Sequence, residues 1–289
     1  MQGELDALSL FLFLPADRLD RLGKAVASGA DAVILDLEDA VATAEKPAAR
    51  QTVAATFALP RRNALYVRVN ALSTEWSYAD LVAVVQPGLD GIVLPKVEDA
   101  DELRTADWLI AALERERDLP VGGIDLIPII ETASGISALE RILRAGTRTR
   151  RLAFGAGDFT LDCGMTWSRD ELELLPARVA CVTVSRAAGL EPPLDTVWAD
   201  LRDPEGFVAS AARAAAFGFQ GKMCIHPDQI GPTNAAFSPS EAALAQARRI
   251  VAAFEAAEAE GSASIQLDGQ FIDYPIVARA RRVIEQAEA

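Results

Sequence analysis

Polar and charged side chains stand at the ends of several apolar runs in this sequence, at a spacing that could bring them to one site. The residues in question are Asp36, Glu38, Asp39, Arg68, Lys96, Glu131, Asp158 and His226. Two carboxylates held close together repel each other unless a cation lies between them. Mg²⁺ is commonly held by one or two carboxylates, with water and substrate oxygens completing its octahedron. Glu131 and Asp158 are therefore candidate ligands of Mg²⁺, with Mn²⁺ as the alternative ion.

Three of these side chains also have a plain structural interpretation, and the sequence leaves both interpretations open. Glu131 and Asp158 could each act as the N-cap of a following helix. Arg68 could bind a substrate carboxylate through its planar guanidinium. The same guanidinium could instead form an ion pair with Asp36 or Glu38.

The stretch Gly155-Ala156-Gly157 and two further residues raise similar alternatives. Glycines let a backbone approach a ligand closely, and the N–H groups of this stretch could donate to a developing oxyanion. An ordinary tight turn is the simpler interpretation. Lys96 could form a Schiff base, but a surface ion pair is the commoner role of such a lysine. His226 precedes a proline, and we expect it to be a hydrogen-bonded structural residue.

The elements that must position these residues follow a repeated order of strand and helix. Unbroken runs of about 4–8 apolar residues are typical of parallel strands buried on both faces. The predicted strands are residues 8–14, 32–37, 64–69, 91–94, 124–130, 152–154, 196–198 and 221–225. Eight such units predict a (β/α)8 TIM barrel, in which the carboxyl ends of the strands carry the active site. No GxGxxG turn follows the first strand, which argues against a dinucleotide-binding sheet.

The last part of the chain has a different pattern. Ser240 can cap a long Ala- and Glu-rich helix, which is followed by a short strand-like piece and a final helix from about Pro275. Such a segment is too small for an independent core. We therefore expect a catalytic barrel over residues 1–237 and a C-terminal helical extension over residues 238–289, which is either an appendage of the barrel or an oligomer arm that packs on a neighbouring subunit.

Composition excludes several classes of function. The 289 residues carry 28 Lys and Arg against 42 Asp and Glu, a net charge of −14. This balance argues against nucleic-acid binding. A single histidine and three cysteines without a CxxC argue against a zinc site and against His-based nucleophilic catalysis. We see no run of about 18 apolar residues and no leader pattern at the start, and so expect no membrane contact and a cytoplasmic location.

Several motifs together resemble one family along nearly the whole chain. In order, they are residues 12–18, residues 29–41, Tyr66-Val-Arg-Val-Asn70, Leu94-Pro-Lys96, Ile130-Glu-Thr-Ala133, Gly155-Ala-Gly-Asp158, Lys222-Met-Cys-Ile-His-Pro227 and Gly269-Gln-Phe-Ile-Asp-Tyr-Pro275. This pattern is similar to the citrate lyase beta-subunit-like proteins of the HpcH/HpaI aldolase and malyl-CoA lyase superfamily.

The resemblance implies a fold, an assembly and a set of site residues. It implies a (β/α)8 barrel that forms a homotrimer, and a Mg²⁺ ion held by Glu131 and Asp158. Arg68 would bind the substrate carboxylate. The backbone of Ala156 and Gly157 would give further substrate contacts. The carboxylates around metal-bound water would be Asp36, Glu38 and Asp39.

The resemblance also implies a reaction. The substrate would be a CoA thioester, or a small hydroxy acid on an acyl carrier. Retro-Claisen cleavage of a 3-hydroxyacyl-CoA such as citramalyl-CoA or malyl-CoA would give acetyl-CoA and a 2-keto acid, with Mg²⁺ polarising the forming carbonyl. The segment around Asp273 resembles the stretch that closes over a neighbouring subunit's active site, where its aspartate is a catalytic acid/base. Thioester hydrolysis would be a second activity of the same site.

Three alternative functions stay open at this point. The chain could be a citryl-ACP lyase, the oxaloacetate-forming citrate lyase beta subunit. It could be a free 2-keto-acid aldolase, although that branch uses a histidine base and the single histidine here, His226, comes late in the chain. It could also be a catalytically silent protein that binds a CoA ester.

Overall fold

Eight parallel strands close into one barrel, as the sequence predicts. The computed structural model describes residues 8–288, apart from the side chain of Leu19, so the seven residues in which a leader was sought lie outside it. The barrel order is sequential, with β1 paired to both β2 and β8. The strands are β1 (Leu10–Pro15), β2 (Ala32–Asp36), β3 (Ala64–Arg68), β4 (Gly91–Leu94), β5 (Asp125–Ile130), β6 (Ala153–Phe154), β7 (Leu194–Asp195) and β8 (Gly221–Cys224).

Helices separate these strands and continue beyond the barrel. They are α1 (Leu22–Val26), α2 (Lys46–Ala55), α3 (Ser77–Val84), α4 (Ala100–Glu116), α5 (Ala133–Leu143), α6 (Ala156–Asp162), α7 (Leu175–Ala187), α8 (Pro204–Phe217), α9 (Ile230–Phe237), α10 (Glu241–Ala259) and α11 (Tyr274–Glu288). Short 3₁₀ turns precede α1, α2, α7 and α9. None of the helices within residues 8–288 combines the length and hydropathy that a transmembrane span requires.

Apolar side chains fill the interior of the barrel. Phe11, Ile34, Tyr66, Ile127 and Met223 belong to one buried cluster that draws on several strands. The ring of Phe11 meets that of Tyr66 edge to face at 5.2 Å between centroids. Every residue of β2 and β5 is buried, as expected for parallel strands covered on both faces.

The seventh strand lies earlier than predicted. The prediction of a strand at residues 196–198 is wrong, because β7 consists of Leu194 and Asp195. A search for apolar runs misses a strand whose second residue is a buried aspartate. Asp195 is compensated by Arg178, whose Nε donates to Oδ1 at 2.8 Å, and by Lys222, whose Nζ donates to Oδ2 at 2.8 Å.

Contacts divide the chain into two compact units that join between residues 233 and 234. In the second unit α10 and α11 pack together, and β9 (Ile265–Leu267) pairs antiparallel with β10 (Gln270–Ile272). Its apolar cluster includes Ile250, Phe254 and Val277. Ser240 accepts a hydrogen bond from the N–H of Ala243, so it caps α10 as predicted.

Candidate active site

A cavity of about 390 Å³ opens at the carboxyl ends of the strands, where a barrel of this kind carries its chemistry. Four carboxyl groups and one guanidinium line it, together with an apolar wall. The charged lining residues are Asp36, Asp39, Arg68, Glu131 and Asp158. The cavity therefore contains many of the side chains that the sequence singled out, supplied by different strands.

Arg68, the last residue of β3, is held rigidly by the last residue of β2. Its Nε and Nη2 donate to the two carboxylate oxygens of Asp36 at 2.7 and 2.6 Å. The guanidinium also lies 5.0 Å from the centroid of the Phe13 ring. Asp36 in turn accepts the backbone N–H of Glu38 at 2.9 Å. The ion pair between Arg68 and Asp36, which the sequence left open as an alternative to substrate binding, is thus present, and it fixes the guanidinium at the cavity wall.

Glu38 joins the two cations of the site. Its Oε2 lies 2.9 Å from Nη1 of Arg68, and its Oε1 accepts from Nζ of Lys96 at 2.5 Å. Burial raises the pKa of Glu38, although Arg68 and Lys96 oppose the increase. The backbone around Glu38 is also held in place by a buried lysine. Nζ of Lys46 donates to the Leu37 and Glu38 carbonyls at 2.8 and 2.7 Å.

Glu131 directly follows β5 and is almost completely buried. Its Oε1 accepts the backbone N–H of Lys96 at 2.9 Å. Burial raises its pKa to about 8, with further increases from the charges of Glu38 and Asp158. A buried carboxylate among other carboxylates is the electrostatic setting in which a bound cation is favourable.

Neither Glu131 nor Asp158 is the N-cap of a helix, which excludes their plain structural interpretation. Thr132 caps α5 by accepting the N–H of Gly135, and Gly155 is the N-cap residue of α6. Asp158 lies in the first turn of α6 with its side chain 31% exposed. Both carboxylates therefore remain available to a cation in the cavity.

The donor set fits Mg²⁺ better than a metal held by the protein alone. Within residues 8–288, no group of three or more His, Cys, Asp and Glu side chains is arranged to hold a metal ion. Glu131 and Asp158 would supply two carboxylates, and water and substrate would complete the shell, as is usual for Mg²⁺. A soft metal such as zinc would find neither histidine nor cysteine among the residues lining the cavity.

The glycine-rich turn after β6 serves the protein as well as the cavity. The N–H of Ala156 donates to Oγ1 of Thr196 at 2.9 Å, so this predicted donor already has a partner. A Cβ on Gly155 would lie 2.4 Å from Oε2 of Glu131. A Cβ on Gly157 would meet only the Trp167 ring, at 3.8 Å. Gly155 therefore makes room for Glu131, whereas Gly157 lies along the open cavity.

Two of the residues singled out lie elsewhere or do other work. His226 is the N-cap of a 3₁₀ turn, and its Nδ1 accepts the N–H of Asp228, which confirms the structural interpretation. Asp273 belongs to the second unit, where its Oδ1 accepts the N–H of Ile276 at the start of α11. The catalytic assignment of Asp273 stays a prediction.

Sequence reasoning undervalued Lys96 and missed Thr196 and the apolar wall. Lys96 contacts Glu38, Asp39 and Asp158 through its ammonium, and its position two residues after β4 was the signal available. Thr196 directly follows β7. Because the strand was predicted at residues 196–198, Thr196 was assigned to the strand instead of to the residues that follow it. The wall is formed by Phe13, Ile129, Val197, Met223 and Ile225.

Comparison with known proteins identifies the family of this chain. A sequence model of the HpcH/HpaI aldolase/citrate lyase family matches residues 9–227. The chain belongs to this family. The citrate lyase subunit beta of Leuconostoc mesenteroides subsp. cremoris is 37% identical over 280 residues, 96% of this chain and 92% of that protein. The L-malyl-CoA/beta-methylmalyl-CoA lyase of Rhodobacter capsulatus is 36% identical over 299 residues, 96% and 93% of the two chains.

Solved structures show the same fold. CitE from Mycobacterium tuberculosis, in complex with magnesium, acetoacetate and coenzyme A, has a TM-score of 0.81 at 34% identity, over 98% of this chain and 99% of that chain. The citrate lyase beta subunit of M. tuberculosis with oxaloacetate and magnesium has a TM-score of 0.67 at 34% identity, over 83% and 100%. The chain is a lyase of the citrate lyase beta and malyl-CoA lyase type.

Proposed function

We propose that this lyase cleaves a carbon–carbon bond in a 3-hydroxyacyl-CoA thioester, releasing acetyl-CoA and a 2-keto acid. The observation that carries the proposal is the convergence of Arg68, Glu131 and Asp158 on one cavity at the carboxyl ends of the barrel strands. A relative acts on malyl-CoA by name, and a structural neighbour binds coenzyme A and a keto acid. CoA is therefore the favoured carrier, with an acyl carrier protein as the alternative.

Glu131 and Asp158 would hold the Mg²⁺ ion, which neighbours of this chain bind. When bound, Mg²⁺ would supply Lewis-acid polarisation of the substrate's hydroxyl or keto oxygen. The protein's own contribution is to position Glu131 at the cavity, where the N–H of Lys96 donates to its Oε1 and the absence of a Cβ on Gly155 leaves room for its Oε2. Because its pKa is raised to about 8, a bound cation would favour the ionised form of this carboxyl group.

Arg68 would orient the carboxylate of the substrate. A guanidinium has five N–H donors, and the hydrogen bonds to Asp36 use only Nε and one donor of Nη2. The remaining donors face a site where Glu38 and Asp39 already compete for Nη1. A substrate carboxylate that is bound to the metal ion and accepts hydrogen bonds from Arg68 would be held in a fixed orientation.

Bond cleavage removes one proton from the substrate hydroxyl and adds one proton at carbon. As the substrate hydroxyl passes its proton to solvent water, the O–H electrons form the new carbonyl, the C–C bond breaks and its electrons form a thioester enolate. Asp273 of a neighbouring subunit in a homotrimer would protonate the enolate carbon and regain a proton from solvent. In the reverse direction the same carboxylate would deprotonate acetyl-CoA. Thioester hydrolysis would follow if the same carboxylate took a proton from a water that attacked the thioester carbonyl carbon, with the C–S bond breaking and CoA leaving as the thiol.

The apolar wall favours a small keto acid over oxaloacetate. Arg68 is the one cation among the residues lining the cavity, and both its guanidinium and the nearby ammonium of Lys96 are already paired with carboxylates. The second carboxylate of a citryl group would face either the apolar wall or further acidic side chains, at a cost of several kcal/mol. Citramalyl-CoA and malyl-CoA are therefore preferred to a citryl thioester, which remains the second candidate because of the citrate lyase relatives.

A cleavage assay on malyl-CoA, citramalyl-CoA and citryl-CoA tests the proposal. With Mg²⁺ present we expect acetyl-CoA from malyl-CoA or citramalyl-CoA, and loss of turnover in EDTA and in Asp158→Ala. Asp101→Ala removes an 87% exposed aspartate on the outer helix α4 and should retain full activity. Absence of acetyl-CoA from every substrate would contradict the proposal.

A further inference from the structure

Lys96 has a backbone conformation that is unusual for a residue with a side chain. Its φ is 53°, in the left-handed region that residues with a Cβ rarely adopt. This conformation accompanies an N–H that donates to Oε1 of Glu131 at 2.9 Å. Glycine would adopt such a backbone without strain. A lysine at this position adds an ammonium group that glycine would lack.

The ammonium of Lys96 lies among carboxylates. Its Nζ is 2.5 Å from Oε1 of Glu38, 3.8 Å from Oδ1 of Asp39 and 3.9 Å from Oδ1 of Asp158. Burial lowers the pKa of Lys96, but the hydrogen bond and charge of Glu38, aided by Asp39 and Asp158, outweigh burial and raise it. The ammonium group therefore lies beside Asp158, a proposed metal ligand.

A divalent ion at Asp158 would lie close to this ammonium. A carboxylate oxygen binds Mg²⁺ at about 2.1 Å, so an ion on Oδ1 of Asp158 and Nζ of Lys96 would be separated by at most about 6 Å in the present side-chain position. Like charges at that distance repel strongly where water is partly excluded. The ammonium and the metal ion therefore compete for the same negative potential.

We propose that Lys96 is a positioning residue whose ammonium neutralises the carboxylate cluster in the metal-free protein and competes with the divalent cation for it. The inference rests on the proposed metal site at Glu131 and Asp158. When the metal ion binds, the ammonium would keep its hydrogen bond to Glu38 and lose its contact with Asp158, which is then free to bind the ion. Lys96 thus keeps the cluster together without metal and sets the metal affinity below the value that the carboxylates alone would give.

Metal titration of the purified, metal-free protein tests this inference without any activity assay. Lys96→Met removes the charge and retains an unbranched side chain at the same φ. By calorimetric titration with MgCl₂ we expect Lys96→Met to bind at least about fivefold more tightly than wild type, because the repulsion is gone. Lys96→Arg, which keeps the charge, should bind within about twofold of wild type. Lys24→Met, on the exposed face of α1, is the matched control.

Thermal unfolding gives a second readout. Without metal, Lys96→Met should melt at a lower temperature than wild type, because the carboxylates lose their counter-ion. Added Mg²⁺ should raise its melting temperature by more than it raises that of wild type. A general structural defect would instead lower the melting temperature of Lys96→Met both without and with Mg²⁺, and it would weaken Mg²⁺ binding.

Two results would overturn the inference, and they are distinguishable. Equal or weaker Mg²⁺ binding by Lys96→Met, with binding by wild type intact, would show that the ammonium assists the metal or is indifferent to it. Mg²⁺ binding by Asp158→Ala that equals that of wild type would remove the proposed metal site itself, and with it both proposals.

Discussion

At the scale of single residues, the site is a set of carboxylates balanced by two cations. Asp36 fixes Arg68 with two hydrogen bonds, and Glu38 links Arg68 to Lys96. Glu131 is the more deeply buried of the two proposed metal ligands, and burial raises the pKa of its carboxyl group to about 8. We therefore expect substitutions at these positions to change the affinity for Mg²⁺ and the rate of substrate cleavage.

Arg68→Lys should reduce activity although it keeps the positive charge. The fork that engages both oxygens of Asp36 would be lost, and an ammonium cannot replace two parallel donors. We expect kcat/KM for the best CoA substrate to fall by about 100-fold, because the carboxylate would no longer be oriented. Arg104→Lys, at an exposed ion pair on α4, is the control. Full activity of Arg68→Lys would exclude bidentate positioning.

The pKa of Glu131 makes the stability of the metal-free protein depend on pH. Its ordinary pKa is 4.5, and burial raises it to about 8 in the folded state. The native state thus binds this proton more tightly than the unfolded state. The resulting stability is complete below pH 4.5 and is lost as the pH rises through about 8.

Chemical unfolding at a series of pH values measures this dependence. Between about pH 5 and pH 9 the metal-free wild type should lose a few kcal/mol more unfolding free energy than Glu131→Gln does. Saturating Mg²⁺ should reduce the loss, because it stabilises the ionised carboxylate. Parallel pH profiles for wild type and Glu131→Gln would mean that Glu131 titrates normally.

At the scale of elements, strand ends explain why much of the site was predictable. Apolar runs marked most of the strands, and polar residues at the ends of several runs face the cavity, as Glu131 does after β5. Apolar runs did not reveal β7, because the buried Asp195 interrupts the apolar pattern. The residues that neutralise Asp195, Arg178 and Lys222, are distant from it in sequence. Tertiary partners of this kind cannot be read from local composition.

The β6–α6 turn offers a matched pair of substitutions. Gly155→Ala would place a Cβ 2.4 Å from Oε2 and 2.7 Å from Cβ of Glu131, so Glu131 would have to move. We expect Mg²⁺ affinity to fall by about tenfold or more, since small displacements of a ligand matter. Gly157→Ala adds the same methyl group in open space, 3.8 Å from Trp167, and should bind Mg²⁺ as wild type does. Equal metal affinities for the two variants would contradict this account of the turn.

At the scale of the whole molecule, closure of the barrel holds the site together. The pairing of β1 with β8 completes the ring, and the N–H of Lys222 donates to the Ser9 carbonyl at 2.9 Å where these strands begin. The sequence predicted a closed barrel from its eight strand and helix units. The proposed role of Asp273 at a neighbouring active site depends on how subunits assemble, and neither hydrophobic periodicity nor a single chain gives that information.

Gly221→Ala should therefore destabilise the barrel. A Cβ at this position would lie 1.7 Å from the Ser9 carbonyl oxygen, so β1 and β8 would have to separate. We expect a loss of about 1–3 kcal/mol or more in unfolding free energy, measured with urea. Gly23→Ala, in α1 with no atom within 4 Å of the added methyl, should be neutral or stabilising. Equal unfolding midpoints for the two variants would contradict the closure account.

The most direct test of the proposed lyase reaction is to run it in D₂O with Mg²⁺ and to analyse the acyl-CoA product by mass spectrometry. Cleavage through a thioester enolate predicts acetyl-CoA that carries one deuterium on its methyl carbon, formed from citramalyl-CoA or malyl-CoA by wild type and not by Asp158→Ala. Release of free CoA with the intact hydroxy acid, and no deuterated acetyl-CoA, would contradict the carbon–carbon lyase assignment.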